Sequence, residues 1–257
     1  MNLGISNRHA LITGGGRGLG RNIAECLAAE GVRLTLVART GADLDQFRAT
    51  HGTQHRGITM DLMDEGAPAK LVEQLRADQL PDIIIHNVGG TLDITDPLCG
   101  VDAWRASYRF NLEIAVELNH LLIPHLIEQR WGRVVHISSI ASLENQGPPT
   151  YCAMKAALTA YTRSVGRYVS QHNVAVSSVL PGAVLTEGGY WDKAQRERPE
   201  HVDRYLRERM AIQRFGTPDE IGKLTAFLCS EYASFIAGSA FTVDGGQGRG
   251  FLYNYES

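Results

Sequence analysis

Tyr151 stands four residues before Lys155 in Tyr151-Cys152-Ala153-Met154-Lys155, a spacing that puts a phenol and an ammonium on one face of a helix. A phenol left to itself titrates near ~10, too high for acid–base work at neutral pH, and a neighbouring cation favours the phenolate and lowers that value. The pair therefore reads as a unit that exchanges a proton with a substrate oxygen. Lysine is scarce, at positions 70, 155, 193 and 223 only, so chance pairing with one of nine tyrosines is limited. Just upstream, His136-Ile137-Ser138-Ser139 closes a strand-like run and delivers two hydroxyls to its end. A serine there more often forms a turn or a helix cap, but beside a Tyr/Lys pair it can donate a hydrogen bond to a carbonyl.

Such groups need a rigid frame and a reaction partner, and the N-terminal stretch Ala10-Leu11-Ile12-Thr13-Gly14-Gly15-Gly16-Arg17-Gly18-Leu19-Gly20-Arg21 supplies both. A short apolar strand runs into glycines and then into a helix with apolar side chains at 23, 24, 27 and 28. Gly14, Gly18 and Gly20 give the backbone freedom to turn and to approach a pyrophosphate, which the helix N-terminus can meet. A phosphate-binding loop of the nucleotide-triphosphatase type lacks its Gly-Lys-Ser/Thr ending here. The next strand, Val32 to Arg39, ends without the acid that holds a ribose 2′-hydroxyl in NAD sites. Arg39 there, joined by Arg17, suits a 2′-phosphate, so NADP(H) is expected over NAD; the bland alternative is two solvated surface arginines.

Strand-like and helix-like segments alternate from end to end. Strands are expected at Gln54 to Met60, Asp82 to Asn87, Arg133 to Ser138, Val174 to Leu180 and Ser239 to Val243. Helices are expected at Ala67 to Ala77, Val101 to Gln129 with a kink or split at Pro124, Tyr151 to Gln171, and Thr217 to Ser230 with Thr217 as cap and Pro218 first. With 257 residues, 44% hydrophobic residues and 27 glycines, this predicts one α/β domain over 1–257: a Rossmann-like, doubly wound parallel sheet with helices on both faces. A net charge of -3 gives no reason to invoke nucleic acid, no run has the length of a membrane span, and 1–8 is too short and polar for a signal peptide. A cytoplasmic setting follows as an expectation. The four cysteines form no Cys-x-x-Cys pair and the nine histidines are scattered, so no metal or disulfide is expected.

These motifs together resemble those of the short-chain dehydrogenase/reductase family, over nearly the whole chain. Thr13 to Gly20 fits its Thr-Gly-x-x-x-Gly-x-Gly loop, and Asn87-Val88-Gly89 its Asn-Ala-Gly motif with valine for alanine. The resemblance implies Ser139, Tyr151 and Lys155 as the catalytic serine, tyrosine and lysine, with Asn111 linking Lys155 to a water relay. It implies Asp61 and Leu62 as adenine contacts, and Pro181-Gly182-Ala183-Val184-Leu185-Thr186 as the segment holding the nicotinamide amide. The cofactor set is then Gly14, Arg17, Gly18, Leu19, Arg39, Asp61, Leu62, Asn87, Gly89, Tyr151, Lys155, Pro181, Gly182, Val184 and Thr186. Gly238 to Gly246 resembles a segment packed between subunits, implying a homo-oligomer, tetramer or dimer. Ser139 to Tyr151 is one residue shorter than the family spacing; Ser138 would restore it, while the Ile-Ser-Ser context favours Ser139.

The implied reaction is hydride transfer between nicotinamide and a carbonyl or carbinol carbon, with Tyr151 exchanging the proton and Ser139 holding the oxygen. Substrate identity is expected in a lid at about 186–214. Its charges read first as a solvated helical face, and so polar a lid favours a small polar or anionic carbonyl, a sugar derivative or a short β-ketoacyl thioester over a steroid. Two rivals are an NAD-dependent dehydrogenase of the same family and a non-catalytic NADP-binding regulator. A methyltransferase on a similar fold would have no use for the Tyr/Lys pair.

Overall fold

A computed structural model describes residues 1–249; the last eight positions of the expected 1–257 domain lie outside the described residues. Seven strands form one parallel sheet: β1 (His9–Thr13), β2 (Arg33–Ala38), β3 (Arg56–Thr59), β4 (Ile83–His86), β5 (Gly132–Ile137), β6 (Val174–Pro181) and β7 (Ala240–Val243). Their order is β3-β2-β1-β4-β5-β6-β7. β1, β4, β5 and β6 are buried along their whole length, as strands covered on both faces must be, which accounts for near-continuous apolar runs such as Ile83-Ile84-Ile85. The chain winds outward from β1 to β3 and returns to β4. The topological switch therefore lies between β1 and β4, and a crevice opens at the carboxyl ends of those strands.

Helices α1 (Gly18–Ala29), α2 (Gly41–His51), α3 (Ala67–Arg76), α4 (Val101–Tyr108), α5 (Ile114–Glu128), α6 (Pro149–Val169), α7 (Tyr190–Glu197), α8 (Pro199–Arg209) and α9 (Pro218–Leu228) complete the fold. One core cluster joins α1, α2 and α9 to the sheet, through residues such as Ile23, Phe47 and Ile221; a second joins α3 and α5, through Leu71, Leu118 and Leu122. Thr217 caps α9 with Pro218 following, and Glu220 returns a carboxylate to the Thr217 N–H at 2.8 Å. Among the described residues no helix is long and apolar enough to cross a membrane.

The helix expected over 101–129 is split, though not at Pro124. A π-turn, Arg109–Glu113, separates α4 from α5, with the Ile114 N–H bonded five residues back to the Arg109 carbonyl. The Arg109 guanidinium locks this turn by meeting Glu113 at 3.2 Å, Glu117 at 2.7 Å and the Leu62 carbonyl at 3.1 Å. Pro124 is accommodated inside α5, where the carbonyl it deprives of a donor belongs to exposed His120.

His86 and His136, register partners on β4 and β5, stack at 4.9 Å with an interplanar angle of 17°. Asn119 joins them, accepting from His86 Nε2 at 2.8 Å and donating to His136 Nε2 at 3.0 Å, while Thr162 meets His136 Nδ1 at 2.9 Å. Burial holds both imidazoles neutral: His86 is pushed down to about 4, and His136 lies well below its ordinary range. An unfolded chain binds protons at these sites first, so the stability they carry is complete above 6.5 and is lost as pH falls toward 4. From His86 alone the loss is expected to reach about 3 kcal/mol. Melting temperatures between pH 7 and 4 should show it, and His86→Phe should flatten the slope; equal slopes would assign acid sensitivity elsewhere.

Candidate active site

The crevice has two connected parts that share Asn87 and Gly89 as walls. One, of about 340 Å³, lies over the glycine loop; the other, of about 890 Å³, lies over the ends of β5 and β6.

At the glycine-loop end, no side chain caps α1, which leaves its first N–H groups for an anion. Gly14 and Gly18 have φ of 67° and 58°, and a Cβ on Gly18 would meet nothing within 4 Å, so there is room for a phosphate group. Gly20 serves differently: it lies inside α1, and a Cβ there would sit 2.2 Å from the Gly14 carbonyl. Asn87 Nδ2 donates to that same carbonyl at 3.1 Å, and Thr13 Oγ1 accepts from the Asn87 N–H at 3.0 Å, tying β4 to the loop. Arg17, Arg39, Asp61 and Leu62 line this part with Gly14 and Gly18. Both arginines are exposed, and neither is in an ion pair among the described residues. Asp43, in the first turn of α2, faces the same space; it lies beyond the end of β2, where the sequence pattern places a ribose-binding acid. These residues fit a dinucleotide with a charged adenosine end.

At the other end, Leu19, Ser139, Tyr151, Lys155, Pro181, Gly182, Val184 and Thr186 line the larger cavity. The two serines separate cleanly. Ser138 is buried, its hydroxyl bonded to the Lys155 carbonyl at 3.2 Å and to Thr159 at 2.9 Å. Ser139 Oγ accepts from the Ala141 N–H at 3.1 Å and lies beside Tyr151 on the cavity wall, where it acts to lower the phenol's pKa. The short connection before Tyr151 is taken up by a 3₁₀ turn, Ile140–Ser142, and by Pro149 opening α6 two residues ahead of the expected start.

Lys155 is buried at the cavity wall; its Nζ donates to the Ile137 carbonyl at 2.9 Å, and burial pulls it down to about 8. Its ammonium lies 5.7 Å from the Tyr151 ring centre. The expectation of a lowered phenol is not met: burial raises Tyr151, with the Ser139 hydrogen bond acting the other way. At neutral pH the phenol is therefore protonated and able to donate.

Asn111 lines neither part. Buried in the π-turn, it accepts from the Gly90 N–H at 2.9 Å and donates to the Gly90 carbonyl at 3.0 Å. It reaches Lys155 only as a neighbour across Gly89, where a Cβ would come within 2.9 Å of Asn111 and 2.8 Å of the lysine Nζ.

The stretch read as a charged lid carries an aromatic inner face. Trp191 packs 4.2 Å from Tyr205 and 4.7 Å from Phe215, ring centre to ring centre, around buried Ala194 and Val202. Charged residues occupy the outer turns of α7 and α8, so the expectation of little apolar surface facing the substrate is corrected. Gln247, likewise missed, accepts from the Ala183 N–H at 2.7 Å and donates to the Tyr205 hydroxyl at 2.5 Å. Only contacts across 64 and 42 positions reveal it.

A family model described as Enoyl-(Acyl carrier protein) reductase matches residues 14–247. The chain belongs to the short-chain dehydrogenase/reductase family. Among relatives, it is 30% identical to a 3-oxoacyl-(acyl-carrier-protein) reductase of Aquifex aeolicus, over 96% of this chain and 99% of that one. Among solved members, L-sorbose reductase of Gluconobacter frateurii, complexed with NADPH and L-sorbose, superposes with a TM-score of 0.88 at 28% identity, covering 96% of this chain and 98% of that one. A 3-oxoacyl (acyl-carrier-protein) reductase of Agrobacterium tumefaciens with NADP bound gives 0.87 at 30% identity, covering 95% and 96%.

Proposed function

We propose that this short-chain dehydrogenase/reductase is an NADP(H)-dependent reductase of a carbonyl compound, with Tyr151, Ser139 and Lys155 as its catalytic residues. The observation that carries the reading is the convergence of Tyr151, Ser139 and Lys155 on one cavity continuous with the glycine-loop cradle. When bound, NADPH supplies a hydride. Tyr151 gives its proton to the substrate oxygen as negative charge develops there, and Ser139 donates a hydrogen bond to the same atom. Lys155, anchored on the Ile137 carbonyl, keeps further N–H bonds for the nicotinamide ribose, and Asn111 fixes the Gly89–Gly90 wall beside it. Gly14, Gly18 and the α1 N-terminus hold the pyrophosphate, Arg17 and Arg39 the 2′-phosphate, Asp61 and Leu62 the adenine, and Pro181 to Thr186 the amide. The NADPH and NADP in the two solved relatives support the cofactor.

Residues 186–214 act as the lid. Exposed tyrosines at 108 and 168 on α4 and α6 support association of copies through these helices, in a cytoplasmic homo-oligomer.

One observation favours a second reading. Asp43 beside Arg17 and Arg39 is an acid at the adenosine end, as an NAD-dependent dehydrogenase would use. Titrating NADPH and NADH into wild type and Arg39→Ala, followed by nicotinamide fluorescence, separates the two. NADPH is expected to bind about 10–100-fold tighter, from one or two charge-assisted contacts, and Arg39→Ala should erase most of that preference. NADH binding as tightly to wild type would overturn the cofactor assignment and bring Asp43 forward.

A further inference from the structure

Resting on the reductase reading, we infer that the substrate is an uncharged polyhydroxylated ketone, a ketose, stacked on Trp191 and read by the carboxamides of Asn145 and Gln146. Among the described residues, Lys155 and His201 are the titratable nitrogen groups that line the larger cavity, with no arginine, aspartate or glutamate beside them. A keto acid placed there would lose water around its carboxylate and find no guanidinium partner, an unfavourable exchange. A long acyl chain needs a continuous apolar channel, yet carboxamides interrupt this wall.

Trp191 forms a rigid plate. Tyr205 at 4.2 Å and Phe215 at 4.7 Å pack against it, and His201 stacks nearly parallel at 6.1 Å and 12°. Trp191 lines the cavity, and the part of a fixed indole that meets it is a flat, electron-rich surface suited to the C–H face of a sugar. Hydroxyl groups both donate and accept, and so does a carboxamide. Asn145 makes no side-chain hydrogen bond among the described residues, and Gln146 has only contacts of 3.4 Å to Glu144 and Gln247, so both can turn to a ligand. The Gln247 amide is committed to Ala183 and Tyr205, and acts as a positioning strut between the lid and the end of β6.

The test is the 257-residue enzyme with NADPH, assayed against a panel of ketohexoses, an acetoacetyl thioester, a 2-keto acid, a 3-ketosteroid and 2,3-butanedione. Ketohexoses are expected to show the highest kcat/KM among the first four classes, by about tenfold or more. Trp191→Ala should lower their kcat/KM about tenfold, chiefly through KM, and Trp191→Phe should restore most of it. If the variants do not fold, the wild-type ranking decides alone. A thioester, keto acid or steroid at the head of the ranking overturns the ketose inference and leaves the reductase standing. No NADPH oxidation with any carbonyl, the small diketone included, overturns the reductase reading and the inference with it.

Discussion

Tyr151→Phe is expected to lower kcat by about 10²- to 10⁴-fold, the range spanned by loss of a positioned general acid. The substitution keeps the ring that packs beside Lys155 and Gly147, and removes only the oxygen that Ser139 engages. The loss should therefore fall on kcat, with no comparable change in melting temperature. Steady-state rates with NADPH and a reducible carbonyl, set beside a thermal melt, provide the check. Ser139→Ala should fall in the same direction by a smaller factor, because the phenol still reaches the substrate oxygen without its partner. Unchanged turnover in Tyr151→Phe would remove the phenol from the reaction and leave the Tyr/Lys spacing as a packing feature of α6.

The second large effect is expected at Gly20. Alanine there would put its Cβ 2.2 Å from the Gly14 carbonyl and 2.5 Å from Asn87 Nδ2, the two groups that bond each other across the loop. Neither is the free end of a long side chain, so the loop itself must move, at an expected destabilisation of about 1–3 kcal/mol. NADPH affinity should fall by about a hundredfold, since the displaced segment is the one whose N–H groups face the phosphates. Gly18→Ala is a useful contrast. It meets no neighbour and suffers only from its φ of 58°, so its melting temperature should lie between those of wild type and Gly20→Ala. Fluorescence titration and melting on all three proteins would settle the order. Wild-type affinity in Gly20→Ala would show that the close approach across the loop is dispensable.

What was legible in the sequence was what local rules write there. Near-continuous apolar runs such as Ile83-Ile84-Ile85, alternating with helical stretches, indicate the parallel sheet, because a strand buried on both faces carries mostly apolar side chains. The glycine loop and the Tyr/Lys pair stood out because turn geometry and helical spacing act over a few residues. Misjudged features depend on distant partners. The π-turn is held by Arg109 reaching the Leu62 carbonyl, and no periodicity within 101–129 encodes that contact. Lid residues Trp191 and Tyr205 were submerged among charges that turn outward once α7 and α8 fold over Phe215. The raised Tyr151 phenol is a further case: spacing announces the lysine beside it, whereas the burial that raises the phenol exists only in the assembled site.

With nothing bound, Lys155 already lies buried against the Ile137 carbonyl, and burial favours its neutral form. The orientation of its ammonium is thus decided when the chain folds, and ligand arrival has little left to arrange. The resting protein bears that strain continuously, as a buried cation with a single acceptor. Heat resistance and turnover pull the choice of residue at 155 in opposite directions: selection for robustness alone would discard lysine in favour of an apolar side chain of similar reach. A lysine at this buried position is a mark of use, visible in the energetics of the idle molecule.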